Sequence, residues 1–184
     1  MKEKIKFTFF KSLRFRIMVI LVVIGIVPSF IVKNVVVNSY ETRAVSIREV
    51  NLKNQCDILG NQLMKENYLR EPDSDVINGE LSMLSAIYNG RILIINKDAK
   101  IIKDTYDIDV GKYALSEEVI QCFEGKSTAN YDDKNAYIEM TSPITKMDSN
   151  TIEGVMLVSI STSEIEDSID MLENRGNLLL SIIC

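Results

Sequence analysis

The sequence predicts an α+β domain in which an antiparallel sheet of about five strands is covered by a long N-terminal helix. One observation behind this prediction is an apolar stripe at helical spacing in residues 40–69, which contain no proline. The other is a series of short apolar segments between turn residues in the second half of the chain. Because apolar runs also precede and follow the domain, we expect a transmembrane helix before it and the start of another after it.

The first apolar run is the predicted membrane anchor. Residues 17–32 carry no charged side chain, and a helix of this length reaches about 24 Å. Continued through residue 37, it is long enough for a hydrocarbon core of about 30 Å, so we predict a transmembrane helix over residues 17–37. The alternatives are a cleaved signal peptide, although no small-x-small motif follows the run, and a buried helix of a soluble domain.

Charge is distributed unevenly along the 184 residues, whose formal net charge is −5. Residues 1–16 hold six cations and one anion, and the remainder holds fifteen cations and twenty-five anions. The basic segment predicts a cytoplasmic N-terminus at the cell membrane, with residues 38–176 forming the extracellular domain. An acidic exterior disfavours nucleic acid as a partner; it suits cations, cationic peptides or simple solubility.

Residue types that carry chemistry are scarce. The chain has no histidine, which excludes Ser–His and Cys–His catalytic pairs. Cys184 falls in the second apolar run, so only Cys56 and Cys122 could pair outside, and their spacing does not require it. The segment Asp107-x-Asp109 lacks the glycine and glutamate of a calcium loop. We therefore expect no catalytic residue, no metal site and no cofactor in this chain.

The exterior domain is predicted to begin with a helix from about Tyr40 to Leu69, which ends before Glu71-Pro72. Residues 70–80 are predicted to be a loop, because Pro, Gly, Asp and Asn are frequent there. The apolar stripe of the helix packs either on its own domain or on the same helix of a second copy. Its members are Val45, Leu52, Cys56, Leu59 and Leu63.

The predicted strands are residues 91–96, 99–104, 128–131, 136–146 and 153–161, of which the last is the most apolar and central. Turns are expected at residues 132–135 and 147–151. A short helix is predicted to begin at Ser116 and to end at Gly125. We expect Val119, Ile120 and Phe123 to face the interior of the domain.

A closing helix is predicted to start at Thr162 or Ser163 and to continue through Ile165, Ile169 and Leu172. After Arg175-Gly176, residues 177–184 form an apolar run that is too short to span a membrane. We interpret it as the truncated start of a second transmembrane helix.

Three stretches carry a resemblance to a known family: RILIINKDAKIIKDTYD (91–107), YIEMTSPIT (137–145) and EGVMLVSIS (153–161). With the element order, they resemble the extracytoplasmic PAS-like, or Cache, sensor domains of bacterial transmembrane receptors. The segment SLRFRIMVILVVIGIVPSFIV (12–32) is similar to the first membrane helix of sensor histidine kinases from Gram-positive anaerobes.

This resemblance implies the sensing part of a dimeric sensor histidine kinase of a two-component system. The missing part would carry a HAMP linker, the phosphoacceptor histidine and an ATP-binding domain, and would act on a cytoplasmic response regulator. ATP is expected as a cofactor only there. Two alternatives stay open: a receptor whose output is a diguanylate cyclase or a chemotaxis signalling rod, and a membrane-anchored docking domain that does not signal.

By the same resemblance, a ligand pocket would lie between the sheet face and the loops that precede the central strands. Arg91 could meet a carboxylate there with its planar guanidinium. The amino-acid-binding motif of double Cache receptors is not recognisable, which disfavours a small-molecule ligand and favours a partner protein or peptide as the extracellular signal. The polar and aromatic residues nearest such a pocket are Tyr88, Arg91, Tyr106, Asp107, Tyr131, Tyr137 and Glu139.

Overall fold

The structure is a computed structural model that describes residues 13–146, 149 and 151–183. Over these residues the chain forms four helices and one five-stranded antiparallel sheet, which confirms the predicted α+β class. Residues 44–166 form one compact unit; the start of α1 up to Arg43 and the last helix from Asp167 belong to another. The predictions for residues 1–12, Cys184 and most of the 147–151 turn lie outside the described residues.

The long helix α1 extends from Leu13 to Lys65 without interruption and ends before Glu71-Pro72, as predicted. Every member of the stripe from Val45 to Leu63 is less than 10% exposed. Because these side chains are buried within residues 44–166 of a single chain, the stripe packs on its own domain. Of the two packing alternatives, the one within the chain is therefore confirmed.

Helix α2, Asp75–Ile87, was not expected, and the prediction of a loop over residues 70–80 is wrong from Asp75 onward. The Ser74 side chain caps the helix by accepting a hydrogen bond from the Ile77 amide. Ile77, Leu81 and Leu84 recur at helical spacing and are buried. The energy of burying this face outweighs the helix-breaking tendency of Gly79, which lies in open space.

The sheet has the order β2-β1-β5-β4-β3, with every neighbouring pair antiparallel. The most apolar strand, β5, is central, as predicted. The five predicted strands are confirmed with bounds shifted by one or two residues at several ends. The strands are β1 Gly90–Asn96, β2 Ile101–Asp104, β3 Ala129–Asp132, β4 Tyr137–Thr145 and β5 Ile152–Ser161.

Helix α3, Glu117–Phe123, begins after the cap residue Ser116 and stops before Gly125, whose φ is +90°. Val119 and Cys122 are buried in a cluster with apolar residues of β1, β2 and β5. Ile120, in contrast, is 48% exposed, so the prediction that it faces inward is wrong. The reason is helical geometry, because a residue adjacent to Val119 lies about 100° around the helix.

Helix α4, Ser163–Ile183, follows β5 after one residue, Thr162, and begins where the closing helix was predicted. The same helix contains the residues of the second apolar run that the structure describes. Among the described residues, α1 is the one helix long and apolar enough to cross a membrane, by length and composition.

Candidate functional site

Four polar residues form a row across one face of the sheet. Arg91 of β1 pairs with Ser159 of β5, Ser159 with Glu139 of β4, and Glu139 with Asn130 of β3. Directly paired residues of neighbouring strands point to the same face. The Ser159 hydroxyl donates a hydrogen bond to the Glu139 carboxylate at 3.2 Å. The row therefore joins the β1 side of the sheet to its β3–β4 edge.

An open cavity of about 480 Å³ lies at this edge. It brings together Tyr131, Tyr137 and Glu139, three of the seven residues predicted for a ligand site. The lining also contains one residue of α3, two more residues of β3 and two residues of the turn between β3 and β4. These further lining residues are Glu118, Asn130, Asp132, Asp133 and Lys134.

Carboxylic residues from α3, β3, β4 and the β3–β4 turn give the cavity an acidic character. Asp132 accepts hydrogen bonds from the Asn135 side chain at 2.8 Å and from the backbone amides of Asn135 and Lys134. These bonds, Asn135 first, and a smaller contribution from Tyr137 lower the pKa of the Asp132 carboxyl, which is therefore ionised at neutral pH. With four carboxylic residues against one lysine, the lining disfavours an anionic ligand.

Arg91, a predicted ligand residue, contacts carboxylates of its own chain. Its Nε lies 2.9 Å from Asp104 Oδ1, and its Nη2 contacts Asp104 Oδ2 and, at 2.6 Å, Asp109 Oδ2. The hydrogen bonds to Asp104 are the main cause of a raised Arg91 pKa. The planar fork that was predicted to meet a carboxylate thus meets two, one at the end of β2 and one in the loop after it.

Asp104 organises that loop. Its side chain is fully buried and also accepts hydrogen bonds from the backbone amides of Tyr106, Ile108 and Asp109, each at 2.9 Å. The Arg91 guanidinium, followed by these amides, holds the pKa of Asp104 well below its usual range. The Asp107-x-Asp109 segment therefore belongs to a loop that is tied to a buried ion pair.

Tyr106 and Asp107 lie on this loop and are not among the residues that line the described cavity. Tyr106 is about half exposed. Asp107 is exposed, has a φ of +54° and lies 3.7 Å from the Lys103 ammonium. Asp109 is bound by Lys112 at 2.6 Å in addition to Arg91. The structure thus separates these two predicted residues from the cavity at the β3–β4 edge.

Tyr88, the seventh predicted residue, follows the C-terminus of α2 and lies under a cation. The Arg48 guanidinium of α1 sits 5.3 Å from the centre of the Tyr88 ring. The same guanidinium donates from Nη1 to the Glu164 carboxylate at 3.1 Å and from Nη2 to the Ser161 carbonyl at 3.3 Å. Tyr88 therefore belongs to a cluster at the junction of β5 and α4.

Sequence reasoning missed Arg48 and the five additional residues of the cavity. Arg48 occupies the gap in the apolar stripe between Val45 and Leu52, which was a signal that its side chain turns inward. The additional cavity residues follow from the β3–β4 pairing, which sets Asn130 opposite Glu139 and Asp132 opposite Tyr137. The sequence predicted both strands and the turn, but their register was needed to bring these residues together.

No protein-family model matches the chain, and no curated protein is significantly similar to it. Among solved structures, the chain is similar to the ligand-binding domain of the Campylobacter jejuni chemoreceptor Tlp3 in complex with L-valine. The identity is 14%, the TM-score is 0.47, and the match covers 72% of this chain and 60% of that one.

A second similar structure is the periplasmic domain of RsbU from Chlamydia trachomatis, with 12% identity, a TM-score of 0.46, and coverage of 77% of this chain and 56% of that one. The chain thus spans about three fifths of the length of these structures. At such low identity, the ligand named for Tlp3 does not transfer to this chain.

Proposed function

We propose that this chain is the sensing and membrane-anchoring part of a bacterial sensor histidine kinase of a two-component system. Residues 38–176 sense an extracellular signal, residues 17–37 cross the cell membrane, and the N-terminus is cytoplasmic. The kinase acts as a homodimer, uses ATP in domains beyond Cys184, and passes the phosphoryl group to a response regulator. The basic N-terminal segment, the acidic exterior and the resemblance of the first apolar segment support this proposal.

The observation that carries the proposal is the continuity of α1. One helix contains an exposed apolar segment, in which Ile20, Leu21 and Ile24 each show more than half of their surface, and the stripe buried in the sheet domain. Exposed side chains of this kind disfavour the reading of a soluble core helix and suit contact with lipid. In this proposal, a ligand shifts the domain between two arrangements, and α1 carries the shift toward the membrane.

The ligand site of this proposal is the cavity at the β3–β4 edge, with Tyr131, Tyr137 and Glu139 as its contact residues. Tyrosine rings and carboxylates are able to contact a small molecule or the side chains of a peptide. Arg91 has a supporting role, because Asp104 and Asp109 already compensate its charge. Tyr88, Tyr106 and Asp107 lie outside this cavity, so we assign no ligand contact to them.

The experiment that tests the proposal changes the helical phase of α1 in the parent protein. Inserting one residue after Lys33 rotates the following helix by about 100° relative to the preceding segment, whereas inserting seven rotates it by about −20°. We expect autophosphorylation from ATP to change strongly after the one-residue insertion and to return toward wild type after the seven-residue insertion. A one-residue insertion after Glu71, in the connection between α1 and α2, is the matched control.

The result also separates the alternatives. If synthesis of a cyclic dinucleotide or swimming behaviour depended on the helical phase of α1, the chain would still be a receptor. Its output domain would then be a diguanylate cyclase or a chemotaxis signalling rod and not a histidine kinase. An output that ignores all three insertions would contradict signalling through α1. It would favour the membrane-anchored docking domain, which needs no coupling between the anchor and the sheet.

A further inference from the structure

The point where β5 passes into α4 contacts residues from distant parts of the chain. The Arg48 guanidinium of α1 binds the Ser161 carbonyl and the Glu164 carboxylate and covers the Tyr88 ring, which follows α2. The Thr162 amide donates to the carbonyl of Ala136, directly before β4, at 2.7 Å. We call Arg48, Ser161, Thr162 and Glu164 the β5–α4 junction.

This junction is adjacent to the candidate ligand cavity in the sheet. Tyr137, which lines the cavity, pairs with Ser161 in the sheet register. Its chain neighbour Ala136 accepts the hydrogen bond from Thr162. The Thr162 carbonyl in turn accepts from the amides of Ile165 and Glu166 in the first turn of α4. A chain of backbone hydrogen bonds therefore links the neighbour of Tyr137 to the first turn of α4.

Two buried polar atoms of the junction lack a hydrogen-bond partner among the described residues: Arg48 Nε and Thr162 Oγ1. Thr162 is fully buried, and it directly follows the residue whose carbonyl Arg48 binds. A buried donor and a buried acceptor without partners destabilise the arrangement that contains them. An arrangement that pairs them with each other would gain one hydrogen bond, which offsets part of the loss of the Arg48 bonds to the Ser161 carbonyl and the Glu164 carboxylate.

We propose that the β5–α4 junction is a two-state element in which Arg48 exchanges the Ser161 carbonyl and the Glu164 carboxylate for the Thr162 hydroxyl. The cavity biases this exchange through Tyr137, and α4 carries the result. The inference rests on the proposed function, since it names the residues through which the cavity would regulate the helix. Arg48 and Thr162 are positioning residues in this scheme.

Hydrogen exchange of the full chain in lipid nanodiscs tests the proposal without a ligand. Thr162→Val removes the unpaired hydroxyl and favours the present arrangement, so exchange in residues 163–168 should slow about tenfold. Thr162→Ser keeps the hydroxyl and should exchange like wild type. Thr151→Val, at an exposed threonine, is the matched control and should leave this segment unchanged.

A second variant keeps the test decisive if Thr162→Val fails to fold. Arg48→Lys lacks Nε and the planar fork, so exchange in residues 163–168 should become faster, whereas Arg43→Lys, at an exposed site on the same helix, should have no effect. Tyr137→Phe should alter exchange in this segment in the wild-type background and not in the Arg48→Lys background.

Equal exchange in Thr162→Val and Thr162→Ser, or an effect of Tyr137→Phe that persists in Arg48→Lys, would overturn the two-state junction. These outcomes are independent of the insertion experiment on α1. If hydrogen exchange follows the expectations above but the insertions in α1 leave the output unchanged, only the proposed function is refuted. If the output depends on the insertions but exchange in residues 163–168 does not respond to the variants, only this inference is refuted.

Discussion

Replacing Asp104 by Asn preserves the size of a fully buried side chain and removes its charge. In the wild type, the carboxylate accepts two hydrogen bonds from Arg91 and three from the backbone amides of the following loop. The Asn amide nitrogen would face donors, and Arg91 would keep only Asp109 as a carboxylate partner. Breaking a buried ion pair by changing one partner costs roughly 3–5 kcal/mol. Because Asp109 remains as a partner of Arg91, we expect the free energy of unfolding to fall by about 3 kcal/mol, at the low end of this range. This is a large part of the typical free energy of unfolding, which is about 5–15 kcal/mol.

Thermal unfolding of the full chain in detergent measures this loss, and the expected decrease in Tm is roughly 10 °C. The pH dependence provides a second measurement. Since the pKa of Asp104 is lower in the folded chain than in the unfolded one, its contribution is complete above the unfolded pKa of about 4 and declines as the pH falls below it. The stability difference between wild type and Asp104→Asn should therefore be full at pH 7 and shrink below pH 4.

The matched control is Asp98→Asn, which removes one carboxylate from an exposed turn and should change stability by less than about 0.5 kcal/mol. A loss below about 1 kcal/mol for Asp104→Asn would contradict the role given to the ion pair. So would a stability difference that stays the same from pH 7 to pH 2, because packing alone does not titrate.

Two further predictions concern the strand register and the cysteines. In Gly90→Ala, the new Cβ would lie 2.5 Å from the Ser159 carbonyl oxygen, so Tm should fall by several degrees, whereas Gly79→Ala, in open space within α2, should raise stability by about 0.5–1 kcal/mol. An unchanged Tm in Gly90→Ala would argue against the β1–β5 register. The second prediction concerns the cysteines. Burial, with a smaller contribution from Asp57, raises the pKa of Cys56 to about 12, and burial also raises the pKa of Cys122. Both free thiols should therefore react with a thiol reagent at pH 7 about a hundredfold more slowly in the folded chain than in urea, and comparable rates would refute their burial.

Periodicity was sufficient to predict most of the fold, because the elements bury faces that the sequence displays. The stripe on α1 and the central position of β5 are examples, and both are confirmed. Helix α2 was missed because the turn-forming residues around Pro72 and Gly79 indicated a loop more strongly than the apolar spacing indicated a helix. The signal for the helix was the cap residue Ser74 followed by Ile77 and Leu81. This signal stabilises a helix only where a core is present to bury the two side chains, and the local sequence does not reveal that core.

The candidate site was less predictable, because its residues meet through strand register. A one-residue slip of β3 against β4 would move Asn130 and Asp132 to the opposite face and break their pairing with Glu139 and Tyr137. Arg91 illustrates the same limit for charges. The sequence indicated an arginine suited to a carboxylate, and two carboxylates of the chain itself fill that role. Since Asp104 and Asp109 already compensate the charge of Arg91, the ligand contacts that we propose at this sheet are the groups of the β3–β4 edge.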